Sequence, residues 1–246
     1  MLAIIAGSGV SKLGNLEVMQ RKVVRTPYGE PSGPLAFGRI GRCDVMFLAR
    51  HGYGHTIAPH QVNYRANLWA LKESGADEVV SVASVGGIRN DLWPGVLLLP
   101  HQIIDYTWGR SSTYFEGPGV PVNHVDFTEP YSNELRRKLL DAAAACGERL
   151  VEEGVYAATQ GPRLESASEI TRLERDGADV VGMTGMPEAA LAREIGLRYA
   201  AIAVVANFAA GRGSSEHAIP LESIGAVLEE SMQRVRRVID QLCEDA

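Results

Sequence analysis

The stretch that most constrains this chain is the unbroken apolar run Ala200–Ala206, which ends on Asn207. A short run with β-branched residues and no polar alternation reads as a strand buried on both faces, the signature of a parallel sheet. Parallel neighbours cannot be joined by tight hairpins, so helices must alternate with strands along the chain. The sequence supplies them. Strands are expected at Leu2–Ala6, 78–83, 96–99, 103–106, 154–159 and 179–182, and helices at 63–74, 133–146, 166–175, from Pro187 onward, and 221–243. Runs at 23–26, 35–40 and 44–48, separated by Gly- and Pro-rich segments, read as a β-meander. The expected fold is α/β, a mixed β-sheet core flanked by helices, in one domain over 1–246.

Open α/β sheets bind ligands beyond the carboxyl ends of their strands. Several candidate groups fall there. Asn207 either turns the chain or presents its amide, a donor and an acceptor side by side, to the edge of a flat heterocycle. Gly7-Ser8-Gly9 follows the first strand, and the small residues of Ser84–Gly87 read as a second turn; both offer N–H groups and a hydroxyl to an anion. Arg50 and His51 follow the third meander strand and suit a phosphate or carboxylate. Thr184, just ahead of a helix, either caps it or binds an anion. Brought together, these separate segments would build one phosphate site.

The remaining features exclude more than they assign. The formal net charge of −6 disfavours nucleic acid as a partner. His51 and His55 have a zinc-helix spacing, but Gly52, Gly54 and Pro59 break a helix and no acid stands between them, so no metal is expected. Cys43, Cys146 and Cys243 show no metal spacing and fit a reduced, cytoplasmic protein. Met1–Ala6 lacks the leader of a signal peptide, and no run approaches the roughly 20 apolar residues of a membrane span. In the last helix, Leu221, Ile224, Leu228, Met232, Val235, Ile239 and Leu242 form one stripe at helical spacing, mostly core, with its first turn near a pocket.

The residues Ala6–Gly9, Ala49–His51, His55-Thr56, 62–72, the segment Gln160–Glu165 and Gly177–Glu188 together resemble the trimeric purine nucleoside phosphorylase family, in its methylthioadenosine phosphorylase branch. The resemblance runs from Leu2 to the last helix. It implies a homotrimer, a mixed-sheet α/β core, and phosphorolysis of a purine nucleoside with inorganic phosphate as co-substrate and no metal or organic cofactor. It places phosphate at Ser8, Arg50, His51, Ser84 and Thr184, ribose at the backbone near Met183, and one purine face on Leu164, where the family has an aromatic ring. Ala83 departs from a threonine of that branch. His124 and the loop around Ser111 are candidates for contacts across the trimer.

Specificity follows from the positions that differ. The branch reads adenine with aspartates at the positions of Asn207 and Ala209; neither residue here carries a carboxylate. Asn207 can donate to O6 of a 6-oxopurine and accept from N7–H as the base leaves. Glu165 matches the carboxylate that takes N1–H in the 6-oxopurine branch, and it would face the lone pair of adenine N1. Mismatched polar groups of this kind discriminate by ~10⁴–10⁵. Where the inosine/guanosine branch has a histidine for the ribose 5′-hydroxyl, this chain has Leu221, with Ile224 one turn on. A 6-oxopurine with an apolar 5′ group is 5′-methylthioinosine. Asn207 and Glu165 are the expected catalytic pair, and Leu164, Met183, Leu221 and Ile224 the expected substrate contacts. The rival expectations are a methylthioadenosine phosphorylase of broad specificity, an inosine/guanosine phosphorylase, and a nucleoside-binding protein without turnover.

Overall fold

The computed structural model of the chain describes residues 1–7 and 16–245. Its centre is a mixed sheet of eleven strands. β1 (Leu2–Ala6) lies between β4 (Cys43–Ala49) and β5 (Glu78–Gly87), parallel to both. β2 (Glu17–Lys22) and β3 (Leu35–Ile40) extend the sheet antiparallel beyond β4. On its other side β5 pairs in parallel with β11 (Arg198–Phe208). β6 (Leu97–Leu98) and β8 (Leu150–Val151) continue past β11. β7 (Gln102–Asp105), β9 (Val155–Ala158) and β10 (Val180–Gly182) form a parallel group that joins β5 through β10.

Side chains alternate across a strand, so a strand apolar at every position needs an apolar layer on each face. β1 shows this directly. Leu2, Ile4 and Ala6 pack with residues of α2 (Asn133–Ala145) and α5 (Leu221–Glu244), among them Leu135, Leu139, Leu228 and Val235. Ala3 and Ile5 pack on the opposite face with α1 (Tyr64–Glu73) and α4 (Gly185–Glu194), among them Leu68, Leu71, Ala189 and Leu191. A smaller cluster packs Ile170 and Leu173 of α3 (Ala167–Arg175) on Ala157 and Val181. The helix ends follow local chemistry. Asn63 accepts from the backbone of Ala66 to start α1, and Ser166 and Glu169 close a reciprocal capping box on α3.

Two expectations are corrected. The first strand of the meander is Glu17–Lys22, not 23–26. It is exposed along its whole length and held by backbone pairing to β3, so no buried face marks it in the sequence. Ser84–Gly87 is strand, not turn: β5 runs on to Gly87, pairing with β11 on one side and, at Gly86 and Gly87, with β10 on the other. The small residues serve close packing. A Cβ on Gly87 would lie 2.0 Å from the carbonyl oxygen of Leu92.

This pairing makes a fork. β1 leaves β5 at Val82, and β10 joins the same side of β5 only at Gly86. Residues 83–85 lie between those two pairings, at the ends of parallel strands β1 and β4.

Candidate active site

A cavity of about 460 Å³ opens at the fork. Gly7 follows β1, Arg50 and His51 follow β4, and Ala83, Ser84 and Val85 come from β5. Met183 and Thr184 follow β10, Leu164 and Glu165 come from the loop beyond β9, and Asn207 from β11. Ile224 arrives from α5. The expected site residues Arg50, His51, Ser84, Thr184, Leu164, Glu165, Met183, Asn207 and Ile224 thus line one cavity. Ser8 lies outside the described residues. Leu221 is not in the lining: α5 starts there, ahead of its packing on the sheet, and the side chain is 64% exposed in the single chain. Ile219, which the helical stripe does not include, lines the cavity beside Ile224. His124 and Ser111 are exposed and outside it.

The cavity's cationic group is Arg50, held in place by a buried ion pair. Arg50 is fully buried, and Glu188 of α4 with it. Arg50 Nε donates to Glu188 Oε2 at 2.7 Å, and Nη2 donates to Glu188 Oε1 at 3.0 Å and to Ser81 Oγ at 2.6 Å. Nη1 donates to the carbonyl of Val82 at 3.2 Å. The hydroxyls of Ser81 and Tyr199 also donate to Glu188 Oε1, each at 2.8 Å. A guanidinium carries five N–H groups. Among the described residues, these contacts leave one Nη1 hydrogen to the cavity that Arg50 lines. Nη1 also passes Gly7 so closely that a Cβ there would sit 2.9 Å from it. Burial works against the Arg50 charge, but the Glu188 carboxylate outweighs it and holds the guanidinium above its usual range.

His51, in contrast to Arg50, is neutral. Burial, and then the Arg50 charge beside it, push the imidazole down to about 4. Its Nδ1 lies 2.8 Å from the carbonyl oxygen of Ile57, which can only accept, so Nδ1 carries the hydrogen. Nε2 is then an acceptor, suited to a hydroxyl rather than to a bare oxyanion. Thr184 precedes α4, but its hydroxyl does not cap the helix.

Asn207 and Glu165 bring hydrogen-bonding side chains to the same cavity. The register of β11 on β5 shifts between Val205 and Asn207, so Asn207 stands at a bulge, a device that re-aims a side chain. Its Nδ2 donates to the carbonyl of Phe208 at 2.7 Å, which among the described residues leaves the second Nδ2 hydrogen and Oδ1 for a ligand. Glu165 Oε1 accepts from the hydroxyl of Thr159 at 2.6 Å. The same lining carries the apolar residues Ala83, Val85, Val181, Met183, Ile219 and Ile224.

Sequence reasoning passes over Glu188, Ser81, Tyr199 and Thr159. A trace of Glu188 is present: it is the acid that opens α4 ahead of the apolar residues 189–192. A buried acid demands a cation, and Arg50 at the end of an apolar strand demands an acid.

The architecture and cavity define an α/β protein with a cavity, at the strand ends, lined by a buried arginine, an amide, a carboxylate and apolar side chains. Residues 1–244 match the phosphorylase superfamily, and the chain belongs to it. A relative from Xanthomonas campestris pv. campestris, named a probable S-methyl-5′-thioinosine phosphorylase, is 54% identical over 92% of this chain and 90% of its own. The 6-oxopurine nucleoside phosphorylase of Pyrococcus furiosus is 45% identical over 85% of this chain and 80% of its own. Among solved structures, methylthioadenosine phosphorylase from Schistosoma mansoni in complex with adenine superposes with a TM-score of 0.93 at 31% identity, covering 99% of this chain and 90% of that one.

Proposed function

We propose that the protein catalyses phosphorolysis of S-methyl-5′-thioinosine to hypoxanthine and 5-methylthioribose 1-phosphate. The observation that carries this reading is that Asn207, Glu165 and the apolar pair Ile219 and Ile224 line one cavity. Asn207 accepts from N7–H and donates to O6, and Glu165, held by Thr159, takes N1–H. Adenine would set its unprotonated N1 against that carboxylate. A thioether gains from burial beside Ile219 and Ile224, where a 5′-hydroxyl would lose its water, at about 0.8 kcal/mol per CH₂-sized unit.

Phosphate lies on Arg50, Ser84, Thr184 and Ser8. A hydrogen phosphate hydroxyl suits the acceptor Nε2 of His51. As the C1′–N9 bond breaks, its electron pair passes to the purine and positive charge develops on the ribosyl group. A phosphate oxygen then bonds to C1′ from the face opposite the base. The proton of hydrogen phosphate ends on the purine, so the dianionic charge is kept in methylthioribose 1-phosphate. Asn207 and Glu165 stabilise the charge on the leaving base, and fixed placement of the two reactants supplies much of the rate.

Inorganic phosphate is the co-substrate, and the reaction draws on no metal or organic cofactor. The working form is a homotrimer in the cytoplasm, and the exposed Trp108, Val120 and Val122 in the segment between β7 and α2 are apolar enough to bury against a second copy. Among the described residues, no helix is long and apolar enough to cross a membrane, and no group of three or more acid, histidine or cysteine side chains could hold a metal.

The test is a panel of methylthioinosine, methylthioadenosine, inosine and adenosine, each with and without phosphate. Phosphate-dependent release should be fastest for methylthioinosine. Faster release from methylthioadenosine would overturn the base assignment, and release without phosphate would overturn the reaction.

A further inference from the structure

Arg110 stands in the long segment between β7 and α2, and nothing in the sequence singles it out. Its Nε donates to Gln160 Oε1 at 3.1 Å. Nη2 donates to the backbone carbonyls of Thr159 and Gln160 at 3.2 and 2.9 Å. Nη1 donates to the carbonyls of Met183 and Met186 at 2.8 and 2.5 Å, with the Tyr64 hydroxyl at 3.3 Å. The guanidinium carbon lies 5.5 Å from the centre of the Tyr64 ring. No carboxylate is among these partners, in contrast to Arg50.

The carbonyls belong to two loops that leave the sheet side by side. Strands β9 and β10 pair in parallel as far as Ala158 and Gly182, and the amide of Thr159 still reaches the carbonyl of Gly182. Beyond that point the chains part. One carries Leu164 and Glu165 into the cavity lining, and the other carries Met183 and Thr184 into it; in the proposed reading these are the base contacts and the ribose and phosphate contacts. Carbonyl oxygens converging on one point repel one another, and a planar cation with several fixed donors turns that repulsion into attraction.

We propose that Arg110 is a positioning residue that ties the base-reading loop to the ribose and phosphate loop, so that the grip on both substrates depends on one side chain outside the cavity lining. The proposal rests on the reading of the cavity as a nucleoside phosphorylase site. A lysine cannot replace it, because one ammonium reaches one loop but not both.

The test is steady-state kinetics of Arg110→Ala and Arg110→Lys, with hydrogen exchange measured on each. In Arg110→Ala, KM should rise for methylthioinosine and for phosphate together, by about tenfold or more. Added guanidinium chloride should recover part of the activity where sodium chloride at equal ionic strength does not. Arg110→Lys should stay impaired. Exchange at 159–165 and 183–187 should rise together in either variant. Unchanged KM for one of the two substrates, or a recovery no better than with sodium chloride, overturns the tie. If Arg110→Ala does not fold, Arg110→Lys carries the test, and unaltered kinetics in it overturn the tie. A wild-type protein that releases no base strikes the functional reading instead; the exchange measurement then still decides the tie, which fails if either loop is unchanged.

Discussion

The Arg50–Glu188 pair gives the sharpest stability prediction. Both side chains are buried, with 0% and 1% of their surface accessible, and they share two hydrogen bonds. Replacing Glu188 with Gln keeps the shape and an oxygen that can accept from Ser81 and Tyr199. It removes the counter-charge and turns an amide N–H₂ toward an arginine donor. Breaking a buried pair from one side costs about 3–5 kcal/mol, because the remaining charge is stranded. The retained hydrogen bonds place Glu188→Gln near the lower figure. For a chain of this size about 3 kcal/mol lowers Tm by roughly 6–12 °C. The single Arg50→Met should lose a similar amount by stranding the carboxylate. The double variant Arg50→Met/Glu188→Gln leaves no buried charge, and it should be more stable than either single, which requires a coupling of more than about 3 kcal/mol. The assay is urea denaturation and thermal melting of the four proteins at one protein concentration. A loss below about 1 kcal/mol in Glu188→Gln, or a double variant whose loss equals the sum of the singles, would refute the argument.

Asn207→Asp should raise methylthioadenosine turnover and lower that of methylthioinosine by about tenfold or more, since a carboxylate cannot donate to O6; an unchanged ratio of kcat/KM counts against the base assignment. Ile224→His should shift the ratio of inosine to methylthioinosine turnover by roughly 30- to 100-fold toward inosine, from about two CH₂-sized units of lost burial and one hydrogen bond gained. Leu221→His should move that ratio less, and the reverse order would place the 5′ group at Leu221. His51 gives a pH effect: its folded value of about 4 lies below the ordinary imidazole value. Between the two, the unfolded chain binds more protons than the folded one, so stability should be intact above pH ~6.5 and fall on acidification toward pH ~4, by up to roughly 3 kcal/mol. His51→Gln should flatten that part of the profile in denaturation experiments, and an identical profile would show that His51 is not the group responsible.

The chain's own pattern settled its layers. Ala200–Ala206 and Leu2–Ala6 are apolar at every position, so each had to be a strand covered on both faces, and the stripe from Leu228 to Leu242 had to be the inner face of a helix. Arg50, His51 and Asn207 stood out as polar groups at strand ends, where α/β sheets bind ligands, and Glu165 through the family resemblance. What the sequence left open are choices between distant partners. Burial of Arg50 requires an acid but does not say which, and Glu188 is 138 residues away. Ser84–Gly87 looks like a turn until β10 arrives to pair with it. Arg110 reads as a surface charge until two loops bring their carbonyls to it. Helical spacing fixes which face α5 turns inward, but not where that helix first meets the sheet, so Leu221 and Ile224 share a stripe and only Ile224 reaches the cavity. Periodicity is a local property and is written along the chain; the neutralisation of a buried charge and the meeting of separate loops depend on distances in space, which only the folded structure sets.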